Sequence, residues 1–434
     1  MSTTIIIHRG TNQIGGCVTE IKTNNHRIFI DFGEELPGTE SDEYGLMIDG
    51  LNYKGAKCDG VFFTHYHGDH VGMFGSIQKE VPLYIGECAR QIMLTIYEKI
   101  ENNDAIEILR DGNRIHPLEE NKTIQCGDIR VTPFSVDHSA YDAYMFLVET
   151  PDMTILHTGD YRNHGYRGGA LFDVIDYHIV KYGRRKIDVL ITEGTMMNRQ
   201  MEKVMTEKEM QEKAFNYFRN HKYIFLLCSS TNLDSLWSFY CAAKRNGMGF
   251  YGNNYVFKQI LNFKKYAGKR SSVLYHFDKV YPVIFDLERM PNSAAQEKIM
   301  RGNGFVAVIR EGERYQKWIE RFSDLDPKII YSMWEGYLDK NQKGYNQSLS
   351  DFLASYDLEQ IYKLHTSGHA TTECIEKVIT KVNPQMAIIP IHTENKMGFL
   401  KLNISEELKQ IVTYLKDGEE LTIYRIHQDL PMQR

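Results

Sequence analysis

The chain has 434 residues, 42% of them apolar and 25% charged, a composition typical of globular proteins and long enough for two or three domains whose cores need no staples. Seven cysteines, odd in number and without a Cys-x-x-Cys pair, exclude a disulfide framework and fit a reducing cytoplasm, and no apolar run is long enough to span a membrane. The formal net charge of −6 disfavours nucleic acid as a partner without excluding it, because such binding depends on local patches.

The opening MSTTIIIHRG runs straight into a β-branched strand, with no basic leader or cleavage site, so a soluble cytoplasmic protein is expected. Apolar runs at 4–7, 17–21 and 28–32, separated by Gly- and Asn-containing turns, predict a strand meander. Asp31 closes the third run, placed either to buttress a metal ligand or to cap a turn. A buried strand over 60–63 then ends at HYHGDH, where three imidazoles and a carboxylate fall within the six residues from His65 to His70. A single histidine is usually structural or merely exposed. Four ligand-type side chains at this spacing behind a strand are a metal motif: His65 and His67 can point at one ion, while Asp69 and His70 are displaced towards a second.

A helix, a short strand at 83–85 and an amphipathic helix over 87–100 are expected to follow, then strands in IRVTPFSV, AYMFLVE and MTILHTGD. Two of these strands leave candidate ligands at their ends, His138 and Asp160, and the strand 188–192 presents Glu193. Composition then changes over the Met-rich, charged stretch 196–212. The next strand (223–227) and helix (232–245) bracket Cys228-Ser-Ser-Thr-Asn232, where the hydroxyls of Ser230 and Thr231 and the side chain of Asn232 could hold a phosphate or simply cap the helix. From Lys244 to Lys279 eight Lys and Arg residues, among them Lys264, Lys265, Lys269 and Arg270, stand against the single acid Asp278 and alternate with Phe and Tyr. This stretch reads either as a single-strand binding surface or as a core with a solvated basic face. Apolar runs at 280–285, 305–309 and 329–333 complete a second α/β unit. The chain then returns through a strand at 361–364 into HTSGHA, a helix over 372–382, a strand at 386–391 that ends in His392 of PIHTEN, and a last strand in ELTIYRI.

HYHGDH, HTSGHA with PIHTE about twenty residues later, and IDFG, VDHS, TGDY and ITEG together resemble the metallo-β-lactamase-fold nucleases of the β-CASP group, most of all the ribonuclease J family. The resemblance implies an α/β fold: a metallo-β-lactamase αββα sandwich (1–195 and 359–434) carrying an inserted α/β β-CASP domain (196–358). It implies two divalent ions, zinc or else manganese, with His65, His67 and His138 on one, Asp69, His70 and His392 on the other, Asp160 between them and Asp31 behind the ligands. Glu193 and His369, with Asp69, are the implied catalytic residues. RNA phosphates would lie against His365, Ser367, Gly368 and His369 and against Ser230 to Asn232.

The expected activity is cleavage of single-stranded RNA by a two-metal hydroxide mechanism, with 5′-to-3′ exonucleolytic action and homo-oligomerisation left open. Two rivals are a hydrolase of DNA or of a small ester or lactone, and a nucleic-acid-binding protein without catalysis. The sequence departs from the family in ending about forty residues after His392, where a further domain usually follows, and in carrying YSMWEGYLD where a glycine-containing signature is usual.

Overall fold

The computed structural model describes residues 2–39, 45–181, 186–199, 203–283 and 294–423. In chain order the strands are β1 (Thr3–Arg9), β2 (Val18–Lys22), β3 (Arg27–Ile30), β4 (Gly60–Phe62), β5 (Leu83–Gly86), β6 (Ile115–Leu118), β7 (Ile124–Cys126), β8 (Ile129–Val136), β9 (Ala143–Glu149), β10 (Thr154–His157) and β11 (Val189–Glu193). They continue with β12 (Tyr223–Cys228), β13 (Gly249–Asn253), β14 (Val280–Val283), β15 (Phe305–Ile309), β16 (Lys328–Ser332), β17 (Ile361–Lys363), β18 (Ala387–Ile391) and β19 (Glu420–Ile423). Residues 284–285 of the expected run and the end of ELTIYRI lie outside the described residues.

Among the described residues the strands form three sheets, ordered β19-β1-β2-β3-β4-β5-β6, β18-β11-β10-β9-β8-β7 and β14-β13-β15-β12-β16-β17. The first two pack face to face. In β9, Tyr144, Phe146 and Val148 join Ile5, Ile7, Ile28 and Phe62 in the shared core, while Ala143, Met145 and Leu147 face the helix Thr372–Val382, the two-residue alternation of a strand buried on both faces. Val61 and Phe63 face the helix Glu87–Lys99 on the far side of the first sheet. The layers therefore run helix, sheet, sheet, helix, as the resemblance implies.

The third sheet is parallel throughout and buried on both faces: Ile224 and Leu226 belong to one core, Phe225 and Leu227 to another. It lies entirely between β11 and β18, which are themselves parallel neighbours with Glu193 opposite Ile391. One expectation needs correcting. The strand expected at 361–364 falls, by the sequence reading, in the returning part of the sandwich, yet β17 pairs with β16, from Ile329↔Ile361 to Tyr331↔Lys363, so the inserted sheet runs past residue 358. Ladder hydrogen bonds on the open edge of β16 outweigh what composition suggested. Among the described residues no helix is long and apolar enough to cross a membrane.

Candidate metal centre

Parallel pairing brings carboxyl ends of strands together, and this decides where the chemistry lies: Asp31 follows β3, the His65–His70 loop follows β4, Asp160 follows β10, Glu193 ends β11 and His392 follows β18. Asp31 and His392 adopt left-handed backbone conformations, φ 62° and 50°, which turn each chain sharply out of its strand. The His-rich loop is anchored by backbone bonds from Cys17 N to Asp69 O (3.0 Å) and from Phe32 N to His70 O (2.8 Å). Gly33 lies beneath it, and a Cβ there would run into the Asp69 carbonyl. Gly33→Ala should therefore push the loop out of register and cost about 1–3 kcal/mol as an overpacking change, measured by urea unfolding, with reduced metal content.

Four of the inward-facing imidazoles are oriented from behind. His70 Nδ1–H donates to Asp31 Oδ2 (2.8 Å), and the Thr64 hydroxyl donates to the same carboxylate (2.8 Å) while it accepts from His65 Nδ1–H (3.0 Å). His138 Nδ1–H donates to the Gly368 carbonyl (2.6 Å), and His392 Nδ1–H to the Thr195 hydroxyl (2.7 Å). These four rings thus turn Nε2 inwards, whereas His67 turns Nδ1, 3.2 Å from His138 Nε2. Ring orientation by partners one shell out is how protein metal sites set their ligands.

Ligand-type atoms of His65, His67 and His138 lie within 4.8 Å of one another, as do those of His65, His70 and Asp160. On the other side His392 Nε2 stands 3.1 Å from Asp69 Oδ2, and Asp160 Oδ2 stands 3.2 Å from His70 Nε2 and 3.8 Å from His392 Nε2. Asp160 therefore lies between two groups of ligand-type atoms. His65 Nε2, His70 Nε2 and Asp160 Oδ2 are buried without a hydrogen-bond partner, a costly arrangement that a cation would satisfy. Burial, helped by neighbouring imidazoles, holds His65 and His138 well below the usual histidine range, and burial pulls His67 down to about 4, so these three are neutral donors. Burial works against the His70 cation, but the anionic surroundings, Asp160 foremost, outweigh it and raise its pKa. The donor set fits divalent ions.

Glu193 and His369 adjoin this set. His369 Nδ1 lies 3.2 Å from Glu193 Oε2 and 3.5 Å from Asp160 Oδ2. Burial opposes its charged form, yet these two carboxylates together outweigh burial and raise its pKa. The Tyr161 N–H donates to Glu193 Oε1 (2.9 Å), which fixes the carboxylate.

The HTSGH loop is held by residues that sequence reasoning missed. The Ser367 carbonyl accepts from Arg162 Nη1 and from His164 Nε2, both at 2.8 Å. Arg162 is fully buried, with Asp234 at 2.7 Å, Glu207 at 3.2 Å and Asp137 at 3.4 Å. Asp234 and Glu207 come from the segment bearing the third sheet, so one guanidinium ties that segment, the sandwich and the loop carrying His369 together. Tyr66 makes a second tie, its hydroxyl donating to the Thr231 carbonyl (2.5 Å).

A β-lactamase superfamily domain model matches residues 27–215. The chain is 23% identical to ribonuclease J of Mycoplasma genitalium, over 99% of this chain and 74% of that protein, and 23% identical to ribonuclease J of Mycoplasma pneumoniae, over 93% and 70%. The chain is similar to ribonuclease J and has the metallo-β-lactamase fold. A crystal structure of a protein of unknown function from Enterococcus faecalis V583 shares that fold, with a TM-score of 0.70 and 19% identity over 98% of this chain and 100% of that one. This ribonuclease J-like chain is a metal-dependent hydrolase.

The remaining expected contacts fare differently in this ribonuclease J-like chain. Five of the eight interleaved aromatics of 244–279, Phe250, Tyr251, Phe263, Tyr275 and Phe277, are buried in the core, and Tyr255, Phe257 and Tyr266 are half-buried. Lys264 pairs on the surface with Asp278 (3.9 Å) and Lys265 lies over Tyr266, while Arg270 reaches the buried Asp142 (3.5 Å). The apolar side of the helix Asn254–Tyr266 is needed against the helix Glu87–Lys99, which is why basic and aromatic residues alternate there. Asn232 caps its helix, accepting from Ser235 N (3.1 Å), and the buried Ser230 hydroxyl accepts from Arg310 (3.1 Å). Thr231 and Ser229 pair their hydroxyls (2.9 Å). Cys17, Thr64, Thr195, Arg162 and His164 carried no recognisable spacing; Thr64 and Thr195, one and two residues from His65 and Glu193, offered the nearest thing to a signal.

Proposed function

We propose that this protein is a two-metal phosphodiesterase that hydrolyses single-stranded RNA, with the site formed where the sandwich, residues 1–195 and the part after the third sheet, meets an inserted domain that begins near residue 196. What supports the reading most is the convergence of His65, His67, Asp69, His70, His138, Asp160 and His392 from separate strand ends, with three of their donor atoms buried and unpartnered. His65, His67 and His138 would hold one ion, Asp69, His70 and His392 the other, and Asp160 both; zinc suits the imidazole-rich set. When bound, such ions supply an activated water and neutralise charge on the phosphate.

The chain's own residues do the rest. His369, paired with Glu193, gives its proton to the leaving oxygen. Glu193 orients that imidazole through the bond to Nδ1. The carbonyl bonds that Arg162, His164 and His138 make to Ser367 and Gly368 fix the His369 loop, and the Ser367 hydroxyl, which accepts from the His369 amide (3.2 Å), would turn its own proton from Met196 Sδ to a phosphate oxygen.

Matched single strands of RNA and DNA, each with a 5′-phosphate or a 5′-hydroxyl, test this with metal-loaded protein. RNA should be cleaved and DNA spared, and faster mononucleotide release from the 5′-phosphate strand would establish exonucleolytic action; cleavage of DNA alone, or of neither, overturns the RNA reading. His369→Ala should keep two ions and lose about 10²–10⁴-fold in rate, the size of a general-acid contribution, whereas His67→Ala should lose metal as well. A His369→Ala enzyme at wild-type rate would remove His369 from the chemistry.

A further inference from the structure

The turn after β16 holds an aromatic residue that no role above uses. Tyr337 is 40% exposed, in the short helix Glu335–Leu338. The turn is fixed at both ends: the Tyr331 hydroxyl donates to the Trp334 carbonyl (2.8 Å) and Asn346 N donates to the Tyr337 carbonyl (2.9 Å). Trp334 meets the Tyr337 ring edge-on, centroids 5.4 Å apart and planes at 79°, and carries the Arg199 guanidinium 5.0 Å from its own centroid. Gly336 makes room for this, since a Cβ there would strike the indole. Tyr337 is thus a ring held in place from one side and open on another.

The turn lies on the side of the third sheet whose loops lead to the candidate metal centre. The carboxyl ends of β12, β16 and β17 share one edge of the third sheet; the loop after β12 is tied to Tyr66 of the His-rich motif, and the loop after β17 carries His369. The turn's continuation reaches the sandwich, with Lys343 3.9 Å from Glu394, two residues beyond His392.

We propose that Tyr337 is a stacking residue for one base of a single-stranded nucleic acid, next to the scissile phosphate. This rests on the phosphodiesterase reading above and adds that the enzyme grips the strand through a base as well as through phosphates. A fixed aromatic face suits stacking, which tolerates sequence because every base has a π-face. Substrates lacking a base at that nucleotide should therefore lose the benefit.

The test uses full-length, metal-loaded wild type, Tyr337→Ala and Tyr337→Phe on a labelled RNA strand, on the matched DNA strand and on strands carrying one abasic nucleotide at each position in turn. Tyr337→Ala should keep its metal and lose about 10–100-fold in kcat/KM, the value of one stacked base, while Tyr337→Phe stays within about threefold. One abasic position should slow the wild type and leave Tyr337→Ala no slower than it already is. Equal rates for wild type and Tyr337→Ala, or an abasic scan in which the variant's deficit is the same at every position, overturns the inference and leaves the phosphodiesterase reading intact. Cleavage of DNA alone with the same position-specific pattern sinks the RNA reading and keeps the stacking role, and a wild type that cleaves neither strand overturns both.

Discussion

Asp160→Ala is expected to abolish hydrolysis and to lower the metal content of the purified protein below two ions per chain. Asp160 Oδ2 is buried, unpartnered, and within 3.2–3.8 Å of His70, His369 and His392, so its loss affects both groups of ligand-type atoms at once. The rate should fall by about 10³-fold or more, as when a charge-stabilising group is removed from a closed site. Asp160→Asn keeps the volume and removes only the charge, and should be nearly as inactive. Metal analysis of both variants beside single-turnover rates checks this, and two retained ions with normal turnover would take Asp160 out of the shared position.

Arg162→Met should be the most destabilising substitution in the chain outside its hydrophobic cores. It leaves Asp137, Glu207 and Asp234 buried together without their central cation, a change worth about 3–5 kcal/mol. Burial already pushes Asp137 up to about 6 and Glu207 up to about 7, despite Arg162. Folded pKa values raised above the unfolded ones mean that these two groups contribute stability fully below about pH 4. That contribution is lost as pH rises through 6 and 7. The gap between wild type and Arg162→Met should therefore be widest near pH 8 and narrow towards pH 5, as read by urea unfolding at both values; a gap independent of pH would mean that packing, not charge, dominates. Because Arg162 also donates to the Ser367 carbonyl, the variant's turnover under folding conditions should fall even where stability suffices.

How well residues could be read from sequence followed how local their signal was. His65, His67, Asp69 and His70 share one loop and stand out by their spacing, whereas His138, Asp160 and His392, each at the end of a strand-like run, gain weight only beside that cluster. Their orienting partners were not legible, since Thr64, Thr195 and the Gly368 carbonyl act through backbone geometry at strand ends, which leaves no spacing. The 244–279 stretch was ambiguous because a helix packed on another helix and a basic stacking face use the same residues in the same order. Residues 361–363 misled for a simpler reason: three residues carry too little pattern to say which sheet they join, and the edge of β16 decided it.

The pairing of β11 with β18 joins Val189 to Ala387, 387 − 189 = 198 positions apart. Bringing such distant segments together from an unfolded chain costs about 4–5 kcal/mol in closure entropy by (3/2)RT ln n. That cost falls if the intervening sheet forms first and draws its two ends together. During synthesis His65 through Asp160 leave the ribosome long before His392, which therefore joins a framework whose other donors have already had time to arrange. Maturation of the enzyme should accordingly show a slow final phase in which metal uptake and recovery of activity track the docking of the C-terminal segment, after most secondary structure has formed.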